Sequence, residues 1–397
     1  MSRFLFVVPP LAGHLNPSLG VGQALARAGH EVAWCGPELH VRPLLGPDAL
    51  VFPTGSRLHR PQSDHGLAAV KSVWDRFIVP FARFSLPAVE KAAADYRPDV
   101  LVVDQHSPAG AIAAHRLGLT WATLACSTMD LGDPLAGLPR VREWVEGRVR
   151  HLWDKAGLPA EEYFDLRFSP HLVIASTGRA LAGSDFPEHY ALVGPVLAER
   201  PAQPDFPWDW LDPDREHVLV SMGTLADDVS SRFLHETVAA LAPLGERLQG
   251  VFVAPPDALP DLPPHLLARA RVPMLDLLPR MDLVVSHGGL NTVCESLANG
   301  VPLVVAPIRH DQPINANQVV AAGAGVRVGF ARADADALRA AVTTVLGDPA
   351  HRAAAHRVRA SFAEAGGADA AAAALTRLSA QSTAQSPVPA GRGGSTS

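Results

Sequence analysis

The sequence predicts an α/β protein of two domains, each built on a parallel sheet. Short apolar runs typical of buried strands, at 4–8, 217–220 and 283–285, alternate with patterns typical of helices. The strand pattern begins twice, before and after a proline-rich stretch at 199–214 that we interpret as a linker. A length of 397 residues is sufficient for two domains with sizeable cores.

These features divide the chain into predicted segments. The first domain is predicted at 1–198 and the second at 215–379, with the linker between them. The remaining stretch, 380–397, is rich in Ser, Pro and Gly and has almost no apolar side chain. It is therefore predicted to be disordered.

The composition excludes several classes of protein. Hydrophobic residues make up 48% of the chain, yet no apolar run approaches the roughly 18 residues of a membrane span. The formal net charge of −6 gives no basic footprint for nucleic acid. Cys35, Cys126 and Cys294 are far apart, without metal or redox spacing, and the N-terminus lacks a signal-peptide pattern. We therefore expect a cytoplasmic protein.

The first strand leads into a loop that carries His14. A helix is predicted at 17–27, because Pro17 suits a first helical position, and a strand at 30–35 completes a βαβ unit. The turn is not Gly-x-Gly-x-x-Gly, so a dinucleotide fingerprint is absent. His14 is thus expected at the mouth of the sheet, although a lone loop histidine is usually a surface residue.

An aromatic stripe at helical spacing follows a long loop region. Trp74, Phe77 and Phe81 recur on one face, and Met129 lies in a later mixed region of helices and loops. Core packing is the simpler interpretation. The alternative is the wall of an apolar pocket for a lipophilic ligand.

The most informative stretch is 281–300. A buried strand at 283–285 turns through Ser286-His287-Gly288-Gly289 into a predicted helix. Such a helix start is a ready anion site, since its first N–H groups have no partner and glycine lets a phosphate approach. Glu295 lies one turn after Asn291 and could accept hydrogen bonds from a ribose. The alternative is an ordinary turn with Glu295 on a solvated face.

The next strand, 301–307, ends shortly before Asp311-Gln312, where ligands of open α/β sheets bind. The combined pattern His-Gly-Gly-x-Asn-Thr-x-x-Glu, Gly-Val-Pro, Pro and Asp-Gln resembles the donor-binding signature of family 1 nucleotide-sugar glycosyltransferases. That family includes plant UDP-glycosyltransferases and bacterial natural-product glycosyltransferases. The resemblance implies the GT-B fold, with two Rossmann-like domains facing across a cleft and the last helix crossing back onto the first domain.

The resemblance also implies catalytic roles in the first half. Gly13-His14-x-x-Pro17 resembles the family's catalytic loop, and the predicted strand 98–104 ends in Asp104, where the family has an aspartate that orients the histidine. His14 would be the base and Asp104 its partner. Without the resemblance, Asp104 could equally be a helix N-cap.

For the donor, the resemblance implies a longer set of contacts, some of them from the loop after the strand at 217–220. The implied donor-binding residues are Ser221, Gly223, Thr224, Arg271, Val272, His287, Gly288, Gly289, Asn291, Thr292, Glu295, Asp311 and Gln312. The sequence departs from the family at Arg271 and Met274, where a tryptophan and a glutamine are common. The departure leaves the identity of the donor base open.

The implied activity is inverting transfer of a hexose from a UDP- or TDP-sugar to a hydroxyl of a macrolide, polyketide, phenolic or carotenoid acceptor. The nucleotide sugar is a co-substrate, and neither a cofactor nor a metal is expected, because the Asp-x-Asp tripeptides at 212–214 and 334–336 do not end buried strands. Two alternatives stay open: a nucleotide-sugar epimerase of the same fold, and a non-catalytic protein that binds a nucleotide sugar.

Overall fold

The computed structural model describes residues 1–55, 64, 66–198, 204–223 and 230–385. These residues form two α/β domains, each with a sheet whose strands pair in parallel. The predicted fold class is confirmed. Within the described ranges, no helix is long and apolar enough to span a bilayer.

The first domain has a sheet of strand order β3-β2-β1-β4-β5-β6-β7. Its strands are β1 Arg3–Val7, β2 Glu31–Gly36, β3 Val51–Pro53, β4 Val100–Asp104, β5 Trp121–Ala125, β6 Val173–Ala175 and β7 Tyr190–Leu192. Its helices are α1 Ala12–Arg27, α2 Glu38–Leu45, α3 Gly66–Ser72, α4 Val79–Tyr96, α5 Ala109–Leu117, α6 Pro139–Lys155 and α7 Arg179–Ala182, with a π-helical segment Val73–Ile78 before α4.

The second domain has a sheet of order β10-β9-β8-β11-β12-β13. Its strands are β8 Glu216–Ser221, β9 Leu248–Val253, β10 Leu266–Arg269, β11 Leu283–Ser286, β12 Leu303–Val305 and β13 Gly325–Arg327. Its helices are α8 Ser231–Leu241, α9 Met274–Leu277, α10 Leu290–Ala298, α11 Gln312–Ala321, α12 Ala335–Gly347, α13 Pro349–Ala365 and α14 Gly367–Gln385.

Each sheet is covered on both faces, which explains why its strands are apolar throughout. In β1, Leu5 and Val7 face one core while Phe4 and Phe6 face another. In β11, Leu283 and Val285 are likewise separated from Val284. Parallel sheets are buried on both faces, so their strands lack a polar side and their polar groups concentrate at the strand ends.

Helix α1 begins earlier than predicted. The sequence places its first helical position at Pro17, whereas the helix starts at Ala12 and contains Pro17. A proline inside a helix removes one backbone hydrogen bond. The carbonyl that loses its intrahelical donor belongs to Gly13, four residues earlier, and it finds another donor in the second domain.

The end of the described chain also differs from the prediction. Residues 380–385 continue α14, although they were expected in the disordered tail. The apolar side chains of α14, including Ala371, Leu375 and Leu378, pack with Phe4, Leu25 and others in the first domain's core. In the predicted linker, Phe206 is buried among residues of the second domain.

Candidate active site

His14 and Asp104 meet at the carboxyl ends of two neighbouring strands. β1 pairs with β4, so the first turn of α1, which follows β1, lies beside the last residue of β4. His14 Nδ1 is 2.8 Å from Asp104 Oδ2. Both side chains are buried, with 8% of His14 and 1% of Asp104 exposed. The structure therefore brings together the two residues that the sequence predicts as partners.

The carboxylate controls the protonation of the imidazole. Burial lowers the pKa of His14, but the Asp104 charge and hydrogen bond, with a smaller contribution from Asp311, outweigh it and raise the pKa above 6.5. Asp104 Oδ1 accepts a hydrogen bond from the backbone N–H of His106 at 2.8 Å. With both oxygens engaged, Asp104 is held in place to orient Nδ1–H and to stabilise the imidazolium.

The glycine turn of the second domain faces the same edge. Gly288 has φ +87°, and a Cβ there would lie 2.7 Å from Val305 Cγ1. Its N–H donates to Ser286 Oγ at 3.1 Å, so this amide is engaged within the turn. Helix α10 starts at Leu290, and the N–H groups of its first turn have no intrahelical acceptor. The turn thus presents a helix N-terminus suited to an anion.

His287 is neutral in this turn. Burial lowers its pKa to about 4, a backbone hydrogen bond with Ser221 opposes that change, and the charge of Arg309 adds to it. A Cβ on Gly223 would lie 2.6 Å from His287 Cε1, so glycine at that position admits the ring. His287 can therefore meet an anion as a hydrogen-bond donor, not as a cation.

A hydrogen bond joins the glycine turn to the histidine loop. Asn291 Nδ2 donates to the carbonyl oxygen of Gly13 at 2.9 Å. This is the carbonyl that Pro17 leaves without an intrahelical donor. Asn291 thus supplies the donor that Pro17 lacks. The residue whose carbonyl accepts this bond, Gly13, directly precedes His14.

Two further side-chain pairs connect the domains beside the dyad. Ser127 Oγ donates to Asp311 Oδ2 at 3.1 Å, and Thr128 Oγ1 donates to Asn315 Oδ1 at 2.5 Å. Ser127 and Thr128 follow β5, and Asp311 directly precedes α11. Asn315 Nδ2 also donates to Gly288 O at 2.8 Å, so one amide links the first domain to the glycine turn.

Comparison with known proteins assigns this architecture. Residues 253–376 match the family model for the C-terminal domain of erythromycin biosynthesis protein CIII-like proteins. The NDP-glycosyltransferase YjiC of Bacillus subtilis is 27% identical over 388 residues, covering 92% of this chain and 94% of that protein. The 4'-demethylrebeccamycin synthase of Lentzea aerocolonigenes is 29% identical over 416 residues, covering 91% and 96%.

Solved structures agree over almost the whole chain. The glycosyltransferase of kitacinnamycin superposes with a TM-score of 0.76 at 26% identity, covering 95% of this chain and 98% of that one. The calicheamicin glycosyltransferase CalG4 gives a TM-score of 0.79 at 24% identity, covering 98% and 100%. The fold and the relatives are those of GT-B glycosyltransferases of natural-product type. Each of the two described sheets forms the centre of one domain, and the pair of His14 and Asp104 lies where the domains face each other.

The residues predicted to bind the nucleotide sugar lie around the ends of β8, β10, β11 and β12. Ser221 ends β8 beside Ser286, and Arg271 and Val272 follow β10, with Arg271 exposed. Thr292 is half-buried in the first turn of α10. Glu295 is only 8% exposed, which excludes the solvated face considered as the alternative. Thr224 lies outside the described residues.

Gln312 holds the loop after β12, and Asp311 contacts the first domain through Ser127. Gln312 Oε1 accepts the N–H groups of Ile308 and Arg309, both at 2.9 Å, so only its amide nitrogen is left for a ligand. Burial raises the pKa of Asp311, against hydrogen bonds from Asn315 and Ser127 and the charge of His14, which lower it. The predicted sugar contact of Gln312 is therefore restricted to donation.

The predicted acceptor residues lie in the core of the glycosyltransferase. Trp74, Phe77, Phe81 and Met129 are all buried in the cluster between the first sheet and its helices. The structure therefore agrees with the simpler interpretation, in which these four side chains pack in the core. Among the described residues, the buried indole N–H of Trp74 has no hydrogen-bond partner, and Trp74 lies in the π-helical segment Val73–Ile78. Such segments are frequent at functional sites, and the acceptor role stays a prediction.

One cluster of side chains is of the types that could bind a metal ion. Ligand atoms of His14, Asp104 and His106 lie within 4.8 Å of one another, and all three residues are buried. Both Asp104 oxygens already accept hydrogen bonds, from His14 and from the His106 amide. A metal ion at this cluster would compete with these hydrogen bonds for the same carboxylate.

Several residues at this site were not predicted from the sequence. They are His106, Ser127, Thr128, Arg309 and Asn315. His106 could have been noticed as a second imidazole two residues after a carboxylate at a strand end. The others carry no motif, because their partners lie in the opposite domain or in a loop that only the fold brings near.

Proposed function

We propose that this glycosyltransferase transfers a hexose, with inversion and without a metal, from a UDP- or TDP-sugar to a hydroxyl of a lipophilic natural product. The observation that carries the proposal is the buried 2.8 Å contact of His14 Nδ1 with Asp104 Oδ2 at the cleft. It is supported by the helix start of α10 opposite, which suits an anion, and by relatives that include an NDP-glycosyltransferase and a 4'-demethylrebeccamycin synthase.

His14 acts as the general base. With Nδ1 bonded to Asp104, its Nε2 carries the lone pair that accepts the proton of the acceptor hydroxyl. The imidazolium formed in this step is stabilised by Asp104, which accounts for the raised pKa of His14. Proton removal makes the acceptor oxygen nucleophilic as it attacks the anomeric carbon.

The leaving nucleoside diphosphate is stabilised by the start of α10. The N–H groups of its first turn and the side chains of Asn291 and Thr292 are donors for phosphate oxygens, and neutral His287 adds a further one. The net charge of −6 provides no general attraction for phosphate, so these local donors have to supply it.

Inversion follows from a single displacement. A retaining mechanism through a covalent intermediate needs a free carboxylate at the anomeric carbon. Asp104 is bound by His14 and by the His106 amide, and Asp311 accepts a hydrogen bond from Ser127. Direct attack by the acceptor, on the face opposite the diphosphate, fits these engagements.

A nucleotide-release assay tests the proposal. The purified protein is supplied with a panel of UDP- and TDP-sugars and a pool of phenolic, macrocyclic and carotenoid acceptors, with and without EDTA. The variants are His14→Ala and, as a matched control, His235→Ala, which removes an exposed histidine on α8. We expect acceptor-dependent release that EDTA leaves unchanged, that persists in His235→Ala and that is lost in His14→Ala.

The product and the controls separate the alternatives. NMR of the product should show an anomeric configuration opposite to that of the donor. Turnover that requires a metal and is indifferent to His14 would contradict the mechanism. Sugar conversion without any acceptor would indicate an epimerase, and tight donor binding without turnover in any pool would indicate a binding protein.

A further inference from the structure

Three buried side chains of the first domain have the chemistry of a transition-metal site. One ligand atom each of His14, Asp104 and His106 lies within 4.8 Å of the other two. His14 is in the first turn of α1, whereas Asp104 ends β4 and His106 follows it. Two imidazoles and a carboxylate are a donor set typical of Zn²⁺, while Mg²⁺ and Ca²⁺ prefer oxygen donors.

The three ligand atoms are close to the spacing that a bound ion requires. Ligand atoms of a tetrahedral Zn²⁺ are about 3.4 Å apart, since each lies about 2.0–2.2 Å from the metal. His14 Nδ1 and Asp104 Oδ2 are 2.8 Å apart, and no separation in the cluster exceeds 4.8 Å. Each separation therefore has to change by about 1.4 Å or less. Asp104 Oδ1 accepts the backbone N–H of His106 at 2.8 Å, which already fixes two of the three residues relative to each other.

His106 is buried without a hydrogen bond from its ring. Only 5% of the residue is exposed, and neither ring nitrogen has a hydrogen-bond partner among the described residues. Buried polar atoms are nearly always paired, and an exception needs a reason such as the binding of an ion. The ring centroid is 4.6 Å from that of His14, so the two imidazoles lie side by side. An ion shared with His14 would give one of these nitrogens a partner.

Asp130 supplies the outer contact that metal-binding histidines usually have. Asp130 Oδ2 is 3.9 Å from His106 Nε2 and has no hydrogen-bond partner within the described part of the chain. Its other oxygen accepts a hydrogen bond from Arg167 at 2.7 Å, which holds the carboxylate in place. Histidine ligands commonly donate their second ring N–H to a carboxylate or to water. With Nε2–H directed at Asp130, Nδ1 of His106 has the lone pair for a metal.

We infer that His14, Asp104 and His106 form a site for Zn²⁺ and that the bound ion inhibits the transferase, the inhibition resting on the proposed function. In the dyad, His14 donates Nδ1–H to Asp104 and keeps the lone pair on Nε2. An ion that takes Nδ1 and Asp104 Oδ2 replaces this hydrogen bond, and the single proton of the neutral ring moves to Nε2. No proton is released, but Nε2 can no longer accept the proton of the acceptor hydroxyl.

Titration calorimetry with zinc chloride tests the site without any substrate, on protein freed of metal by dialysis against EDTA. For the unmodified protein we expect binding of Zn²⁺ but not of Mg²⁺. His106→Phe keeps an aromatic ring but removes a ligand, and it should weaken Zn²⁺ binding about 100-fold. Asp130→Asn, which alters only the outer contact, should weaken it about 10-fold. His115→Ala is the matched control, because His115 also contacts a carboxylate, that of Glu162, outside the cluster. Its affinity should be unchanged.

Nucleotide release in the presence of zinc tests the inhibition. Added Zn²⁺ should lower the rate of the unmodified protein, and EDTA should restore it. The rate of His106→Phe, compared with its own rate without metal, should change little at the same Zn²⁺ concentration. Zinc bound at the cluster without any loss of rate would overturn the inhibitory role.

The binding data decide on the site independently of catalysis. An equal Zn²⁺ affinity in the unmodified protein and His106→Phe would mean an adventitious ion only and would overturn the inference. If no donor and acceptor pair supports transfer, the proposed function fails, whereas a loss of Zn²⁺ binding in His106→Phe still supports the site. Melting temperatures of the metal-free variants separate loss of a ligand from loss of the fold.

Discussion

The side-chain amide of Asn291 donates a hydrogen bond to the carbonyl oxygen of Gly13 across the cleft, at 2.9 Å. The interaction exists because Pro17 has no N–H to occupy that carbonyl within α1. It links the residue before the proposed base, His14, to the first turn of α10. The bond therefore couples the approach of the domains to the assembly of the active site.

Removing this bond should open the cleft. In Asn291→Ala, we expect the closed form to lose about 1 kcal/mol, which changes the equilibrium constant between the closed and open forms about fivefold. Small-angle scattering of the ligand-free protein should give a larger radius of gyration. Asn299→Ala is the matched control, because Asn299 Nδ2 bonds Glu295 O within the second domain. Equal radii for Asn291→Ala and the control would rule out a role in closure.

Replacing the proline tests the same bond from the opposite side. Pro17→Ala gives residue 17 an N–H that can donate to Gly13 O within α1, in competition with Asn291. We expect a more stable helix but a weaker contact between domains, visible as a higher melting temperature together with a larger radius of gyration. A smaller radius in Pro17→Ala would show that the proline does not favour the interdomain bond.

The dyad predicts a pH dependence of both activity and stability. Because the base has to be neutral, kcat/KM should rise with pH through the raised pKa of His14. Asp104→Asn leaves burial to dominate, so the rise should move to lower pH while the maximal rate falls. A pH–rate profile of both proteins is the measurement, and coinciding midpoints would contradict the assigned pairing.

For stability, the sign follows from the raised folded-state pKa. Protonated His14 is favoured in the folded state, so its contribution is fully present below pH 6.5 and is lost as pH rises through the raised pKa. Compared with His14→Gln, which does not titrate, the unmodified protein should lose free energy of unfolding between pH 6 and pH 9. Urea unfolding at both values measures the difference, and a gain with rising pH would be the wrong sign.

The glycine turn predicts a conformational requirement at one position. Gly288→Ala would place a Cβ 2.7 Å from Val305 Cγ1 at φ +87°. We expect a cost of about 1–3 kcal/mol and a loss of nucleotide binding. Gly147→Ala, in α6 with open space around the new Cβ, is the matched control and should be neutral or slightly stabilising. Unfolding curves and titration with UDP or TDP distinguish the two.

The strand ends could be predicted from the sequence, whereas the contacts across the cleft could not. Asp104 and the glycine turn follow apolar strands, and the carboxyl ends of parallel strands share one edge, so local patterns locate them. The bond of Asn291 to Gly13 joins residues 278 positions apart and depends on how the domains face each other. Helix α1 was misjudged for the same reason, since Pro17 is tolerated inside it through a donor from the second domain.

Asn315 should couple the domain interface to the glycine turn. Its amide accepts from Thr128 Oγ1 and donates to Gly288 O, and the residue is fully buried. Asn315→Ala leaves both partners unsatisfied and should cost about 1–3 kcal/mol, whereas Thr128→Val removes only one bond and should cost less. In a double-mutant cycle, we expect a coupling of about 0.5 kcal/mol or more in unfolding free energy. If the two free-energy changes are strictly additive, the Asn315 amide acts on the glycine turn independently of the first domain. Domain closure and donor binding would then be separate events.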